Sequence, residues 1–277
     1  MESVRDRHAV QVAGVESSRP ILFAQGFGCD QTMWRMVAPA FERSFKVVTF
    51  DYVGAGRSDR SAYDLARYSS LDGYVQDVLE ICKDLGLVDV TFVGHSVSAM
   101  IGILASIAEP DRFRELILIA PSPRYLDDPP TYRGGFTRGD IDGLLDMMDL
   151  NALGWASFLA PLVMANPGRP VLTAELEASF CSIDPVMARQ FAEVTFLSDS
   201  RIDLGRVTTP SLIVQSAEDA VAPPEVGAFL ARELPGSTLR VIAATGHCPH
   251  VSHPDLVIDA MSEYLKVTTR RQDASRR

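Results

Sequence analysis

The sequence predicts an α/β fold, with a mostly parallel sheet, helices on both faces and a four-helix cap insertion. Three observations carry this expectation. Short apolar or β-branched runs at 20–24, 47–50, 90–93, 116–120, 210–215 and 239–243 alternate with helical stretches, as in a sheet covered on both sides. Residues 124–200 break that rhythm, with several helical segments and few β-like runs. Glycine-, serine- and aspartate-bearing turns fall just beyond strand ends, where such a sheet gathers its loops.

The 277 residues, 47% of them hydrophobic, suffice for one main domain with an insertion. We expect the core at 1–123 and 201–267, a helical lid at 124–200, and a disordered tail at 268–277, which has four arginines and no apolar anchor. With 36 acidic against 26 basic residues, the net charge of -10 argues against a nucleic-acid binder and suits an enzyme of neutral small molecules. Cys29, Cys82, Cys181 and Cys248 form no CxxC pair, which points to reduced thiols in a cytoplasmic protein. No apolar run reaches the ~18 residues of a membrane span, and the first residues lack the apolar core of a secretory signal.

In chain order, residues 8–15 read as an edge strand. The strand at 20–24 runs into Gly26-Phe27-Gly28, a turn that exposes backbone N–H groups. Asp30 or Thr32 caps a helix expected near Trp34. The strand at 47–50 leads to a glycine-bearing loop at 51–59. That loop lacks the third glycine of a dinucleotide fingerprint and the lysine of a phosphate loop, so it is expected to be structural. Apolar residues at helical spacing over 71–85 precede the strand at 90–93 and the apolar helix at 100–107. The insertion is expected as helices at 141–150, 153–164, 171–181 and 185–197, with Phe136, Trp155, Phe158, Met164, Phe191 and Phe196 as candidate walls of an apolar pocket. After the strand at 210–215 come helices at 224–234 and 254–265, flanking the strand at 239–243.

Gly94-His95-Ser96-Val97-Ser98 joins a strand to a helix, the context of a nucleophile elbow in which a sharp turn lifts the serine above the sheet edge. Ser98 stands where the bare pattern has a second glycine. Ser96, Asp219 and His247 follow in the order Ser…Asp…His of an α/β-hydrolase fold, each just past an expected strand, so a parallel sheet brings them to one edge. In that arrangement Ser96 attacks an acyl carbonyl, His247 moves the proton and Asp219 holds the imidazole. Glu218 adjoins Asp219 as the alternative acid. The backbone N–H groups of Phe27 and Val97 are the candidate oxyanion donors. His247, His250 and His253 invite a metal reading, but Pro249 and Pro254 disrupt the helix and no distant ligands are evident, so neither metal nor cofactor is expected. His95 is expected to be buried and structural, and Cys248 to be a packed thiol.

The stretches FAQGFGCDQTMW, VVTFDYVGAGRSD, FVGHSVSAMIG, SPRYLDDPPTYRGGF and ATGHCPHVSHP resemble the small α/β-hydrolases related to the bacterial stress-response regulator RsbQ and to the plant karrikin and strigolactone receptors. This resemblance spans about residues 21–265. It implies a Ser96/Asp219/His247 triad, oxyanion donors at Phe27 and Val97, and a four-helix lid over a closed apolar pocket. It makes Ser98 a subgroup feature shared with the plant receptors. The implied activity is hydrolysis of a small apolar ester or lactone, with small-molecule signalling as the alternative. The bacterial relative further implies a PAS-domain phosphatase as partner.

Overall fold

Strands β1 (Gln11–Gly14), β2 (Pro20–Ala24), β3 (Lys46–Thr49), β4 (Val90–His95), β5 (Phe113–Ile119), β6 (Ser211–Glu218) and β7 (Ser237–Thr245) form one sheet in the order β1-β3-β2-β4-β5-β6-β7. This computed structural model describes residues 3–275. Only the β1–β3 pairing is antiparallel; the other neighbours run parallel. The central strands are buried on both faces because their apolar residues do not alternate with polar ones. In β5, Leu116 and Leu118 join one core while Ile117 and Ile119 join the other. Each such side chain, fully removed from water, contributes roughly 1.5–3 kcal/mol.

The helices are α1 (Val4–Arg7), α2 (Leu71–Asp84), α3 (Val97–Ala108), α4 (Arg138–Leu150), α5 (Ala152–Met164), α6 (Pro170–Ser182), α7 (Pro185–Leu197), α8 (Pro224–Glu233), α9 (Pro249–Ser252) and α10 (Pro254–Ser275). Local chemistry sets their ends. The Ser70 hydroxyl caps α2 by accepting from the Asp72 amide, and Thr137 and Asp140 form a reciprocal capping box at α4. Helices α4–α7 are the insertion between β5 and β6, and their inward residues share a cluster with Tyr125, Val221 and Cys248. This is the α/β-hydrolase architecture with a helical cap.

The structure corrects three expectations at the ends of the chain. The edge strand is only Gln11–Gly14, preceded by the short helix α1. The helix expected near Trp34 is a single 3-10 turn, Gln31–Trp34, capped by Asp30 through the Thr32 amide at 2.8 Å. The last helix does not stop at Leu265 but continues to Ser275, since nothing between them is a proline or glycine that would end it. Of the tail expected to be disordered, residues 276 and 277 lie outside the described residues. The four cysteines are free, three of them buried. Among the described residues no helix is long and apolar enough to cross a membrane.

Candidate active site

The site is built at the carboxyl edge of the sheet, where β4, β6 and β7 end. Ser96 follows β4 directly and sits at φ 57°, ψ −124°, a strained conformation for a residue with a side chain. Its amide donates to the Ile119 carbonyl at 2.9 Å, tying the turn to β5. Such a sharp turn forces strand and helix backbones together: a Cβ on Gly94 would lie 2.5 Å from the Ser98 carbonyl oxygen, so only glycine fits. Ser98 itself is accommodated because its hydroxyl donates to the Gln25 carbonyl at 2.5 Å and stands 2.9 Å from the Tyr52 hydroxyl. The second glycine of the bare pattern is replaced by a bridge to the neighbouring strand's loop.

His247 lies past β7 and Asp219 past β6. The Ser96 hydroxyl is 2.8 Å from His247 Nε2, and His247 Nδ1 is 2.8 Å from Asp219 Oδ2. The other oxygen of Asp219 accepts from the amides of Val221 and Ala222 at 2.8 and 3.0 Å. Burial alone would raise the Asp219 pKa, but the adjacent imidazole and these hydrogen bonds hold it below the usual carboxylate range. The neighbouring Glu218 is exposed and accepts the Gly246 amide through its carbonyl. Its carboxylate lies 3.4 Å from the Thr245 hydroxyl instead of at the imidazole. Across the cavity, the Tyr125 hydroxyl stands 3.0 Å from Ser96 Oγ. Since the serine proton faces His247, Tyr125 is the donor in that contact. Nothing in the sequence pattern pointed to Tyr125, which lies in an irregular loop after β5 without periodicity.

Phe27 and Val97 flank the serine. Val97 opens α3, where an amide has no intrahelical acceptor, and Phe27 lies in the turn after β2. Among the described residues neither amide has a recorded acceptor, so both are available to a ligand oxygen.

A narrow, largely apolar cavity lies over Ser96 and His247. Of the expected wall residues, Phe136 and Phe196 line it. The other four do not. Phe158 points to solvent, 55% exposed; Met164 is buried in the cap core; Trp155 sits behind the wall, its ring against Phe27 and Phe180. Phe191 lines a separate, smaller cavity beside Tyr52 and Tyr74. The reason is helical phase: in the almost uniformly apolar α5, Leu159 and Val163 face the cavity, four residues apart, while Phe158 and Leu162 face out. Leu144, Leu176, Phe180 and the buried Thr195 complete much of the lid side.

Among the described residues, the three histidines past β7 do not come within metal-ligand reach of one another. His250 is fully buried in ring contacts, and His253 pairs with the Ser252 hydroxyl. The described residues do bring His8, Asp77 and Glu80 within metal-ligand reach of one another, but arginines already occupy both carboxylates.

Residues 21–260 match the alpha/beta hydrolase family. The chain belongs to that family. It is 38% identical to a probable esterase of Oryza sativa subsp. japonica over 96% of this chain and 98% of that one. It is likewise 38% identical to a karrikin insensitive 2 receptor of Petunia hybrida over the same shares. Among solved structures, a hydrolase from Oleispira antarctica superposes with a TM-score of 0.93 at 44% identity, covering 95% of this chain and 96% of that one. It is also 38% identical to a strigolactone esterase of Pisum sativum over 91% of this chain and 94% of that one.

Proposed function

We propose that the chain is a serine hydrolase that cleaves a small, mainly apolar ester or lactone through an acyl-enzyme. The observation that carries this reading is the unbroken chain Ser96–His247–Asp219, at 2.8 Å and 2.8 Å, beneath an apolar cavity. Ser96 Oγ attacks the acyl carbonyl as His247 Nε2 takes its proton. Asp219 keeps the imidazole in the Nδ1–H tautomer and stabilises the imidazolium. The Phe27 and Val97 amides receive the oxyanion, each such donor being worth roughly 3–4 kcal/mol of transition-state stabilisation. His247 then returns the proton to the departing alkoxide, and in a lactone the released hydroxyl stays on the acyl chain. Water repeats the sequence to free Ser96. Tyr125, donating to Ser96 Oγ in the resting site, helps hold that oxygen in line.

The test is turnover of short-chain aryl esters and labelling by a serine-directed phosphonate. Wild type is expected to do both, and Ser96→Ala is expected to lose labelling and at least 10³-fold in kcat. Equal turnover by Ser96→Ala removes Ser96 as nucleophile.

A second reading, a small-molecule receptor with slow hydrolysis, is supported by the receptor relatives and by one contact; a PAS-domain phosphatase as its partner rests only on the resemblance to the bacterial regulator. The His247 amide donates to the Val163 carbonyl of α5 at 2.8 Å, so lid and site share a bond. Ligand-dependent capture of such a phosphatase supports it. Fast turnover without any partner favours the first reading.

A further inference from the structure

His247 is held in three places. Its ring is fixed by Asp219, its amide by the Val163 carbonyl on the lid, and its carbonyl oxygen by His95 Nε2 at 2.8 Å. The last bond comes from the residue just before Ser96, at the end of the central strand β4. A carbonyl only accepts, so His95 carries its proton on Nε2 and leaves Nδ1 bare. That Nδ1 is buried without a hydrogen-bond partner and lies against the oxyanion turn, since a Cβ on Gly26 would be 2.6 Å from it. His250 packs on the His95 ring with centroids 4.3 Å apart, and Trp34 packs on His250 at 4.6 Å. Burial, with the His247 imidazole alongside, pushes the His95 pKa down to about 3, so the ring is neutral at ordinary pH.

An apolar ring here would fill the same space without burying an unpartnered nitrogen, which costs folding free energy. What it would lack is the donor. We infer that His95 is a positioning residue, whose Nε2–H anchors the His247 peptide to the sheet and keeps its imidazole in line with Ser96 when the lid side of that peptide moves. Its reach also spans the serine turn and the Gly26 turn that carries Phe27, so one side chain sets the distance between all three parts of the site. The inference rests on the reading of Ser96 as nucleophile and His247 as base.

Two substitutions separate donor from filler. His95→Phe keeps a buried ring against His250 and removes the N–H. His95→Gln places an amide N–H the same number of bonds from the backbone as the lost Nε2. With protein concentrations corrected by phosphonate titration, His95→Phe is expected to lower kcat on a short-chain aryl ester about 10- to 100-fold, the scale of a misplaced base, with KM within about twofold. His95→Gln is expected to recover to within about fivefold of wild type. A kcat for His95→Phe equal to wild type overturns the role, as does a His95→Gln that titrates fully yet is no better than the phenylalanine. Should neither variant fold, ¹⁵N NMR of the wild-type ring decides: an Nε2–H tautomer supports the bond and an Nδ1–H tautomer overturns it. Ser96→Ala, run alongside, keeps the two readings apart. If it turns over ester like wild type, the nucleophile reading and this role both fail. If it is dead while His95→Phe is unaffected, only the positioning role fails.

Discussion

His247 and Asp219 meet at the mouth of the cavity, Nδ1 to Oδ2, at 2.8 Å; His8 and Asp77 meet where the N-terminal segment docks on α2, with Nε2 3.8 Å from Oδ1. Both pairs are buried and use the same two residue types, yet their surroundings give them opposite characters. Asp219 receives two backbone amides and the imidazole, and stays ionised despite its burial. Asp77 receives the Arg67 guanidinium at 2.7 Å and the Tyr68 hydroxyl at 3.0 Å, yet burial dominates, with Glu80 adding repulsion, and its pKa rises to about 7. His8 is pushed down to about 4, again chiefly by burial, and its Nε2 has no hydrogen-bond partner. Only the first pair has a hydroxyl in line beyond the imidazole. A buried histidine beside an aspartate is therefore not in itself a catalytic device. In the proposed mechanism, what sets the His247–Asp219 pair apart is the backbone amides that keep the carboxylate charged and the Ser96 hydroxyl for the ring to act upon.

The largest effect should separate the pairs by what they lose. In Asp219→Asn the side-chain oxygen still accepts from Val221 and Ala222, but an amide N–H₂ facing Nδ1 favours the wrong imidazole tautomer. We expect kcat to fall about 10⁴-fold with little change in Tm, measured by ester turnover and thermal melting. A Tm loss that accounts for the lost activity would make Asp219 a structural residue like Asp77.

The reciprocal change is Asp77→Ala. It leaves the partly buried Arg67 without its short partner and Tyr68 without an acceptor, so we expect a loss of about 3 kcal/mol in denaturant unfolding. The kcat of the folded fraction should stay within about twofold of wild type. A selective fall in kcat would mean that the docking of α1 on α2 reaches the site.

The difference between the two pairs also marks what the sequence could disclose. Ser96, Asp219 and His247 stand just past β4, β6 and β7, so recognising parallel strands was enough to bring them together. Chain order admits Glu218 as readily as Asp219; it is the Asp219 carboxylate that meets the imidazole. His8–Asp77 had no such signal, because it arises from the docking of a four-residue helix that no periodicity announces. The pocket wall was legible only in part, for a similar reason. Helical phase is read from the contrast of polar and apolar residues, and α5, ALGWASFLAPLVM, offers almost none, so Phe158 and Leu159 were indistinguishable until packed. Tyr125 and the His95–His247 bond depend on loop geometry and remote contact, which composition does not encode.

The smallest effect uses acidity to tell the pairs apart. Asp77 keeps its proton in the folded state up to about pH 7, while in the unfolded chain it loses it near its ordinary value. Between those limits the folded state binds the extra proton. The Asp77 contribution is thus full at low pH and is lost as pH rises toward 7, with a slope of up to about 1.4 kcal/mol per pH unit. His8 works in the other sense: depressed to about 4, it lacks a proton that the unfolded chain binds below about 6.5, so its contribution falls as the medium becomes more acidic. The two terms oppose each other from about pH 4 to 6.5 and largely cancel. Asp77→Asn removes one of them. Its unfolding free energy should therefore climb with pH over that interval relative to wild type, whereas the same comparison for Asp219→Asn should stay flat there, because a depressed carboxyl is already ionised in both the folded and the unfolded chain above its ordinary value. Parallel urea titrations of the three proteins at pH 4, 5, 6 and 7 would read this directly, and equal slopes for the two variants would show that the pairs are electrostatically alike.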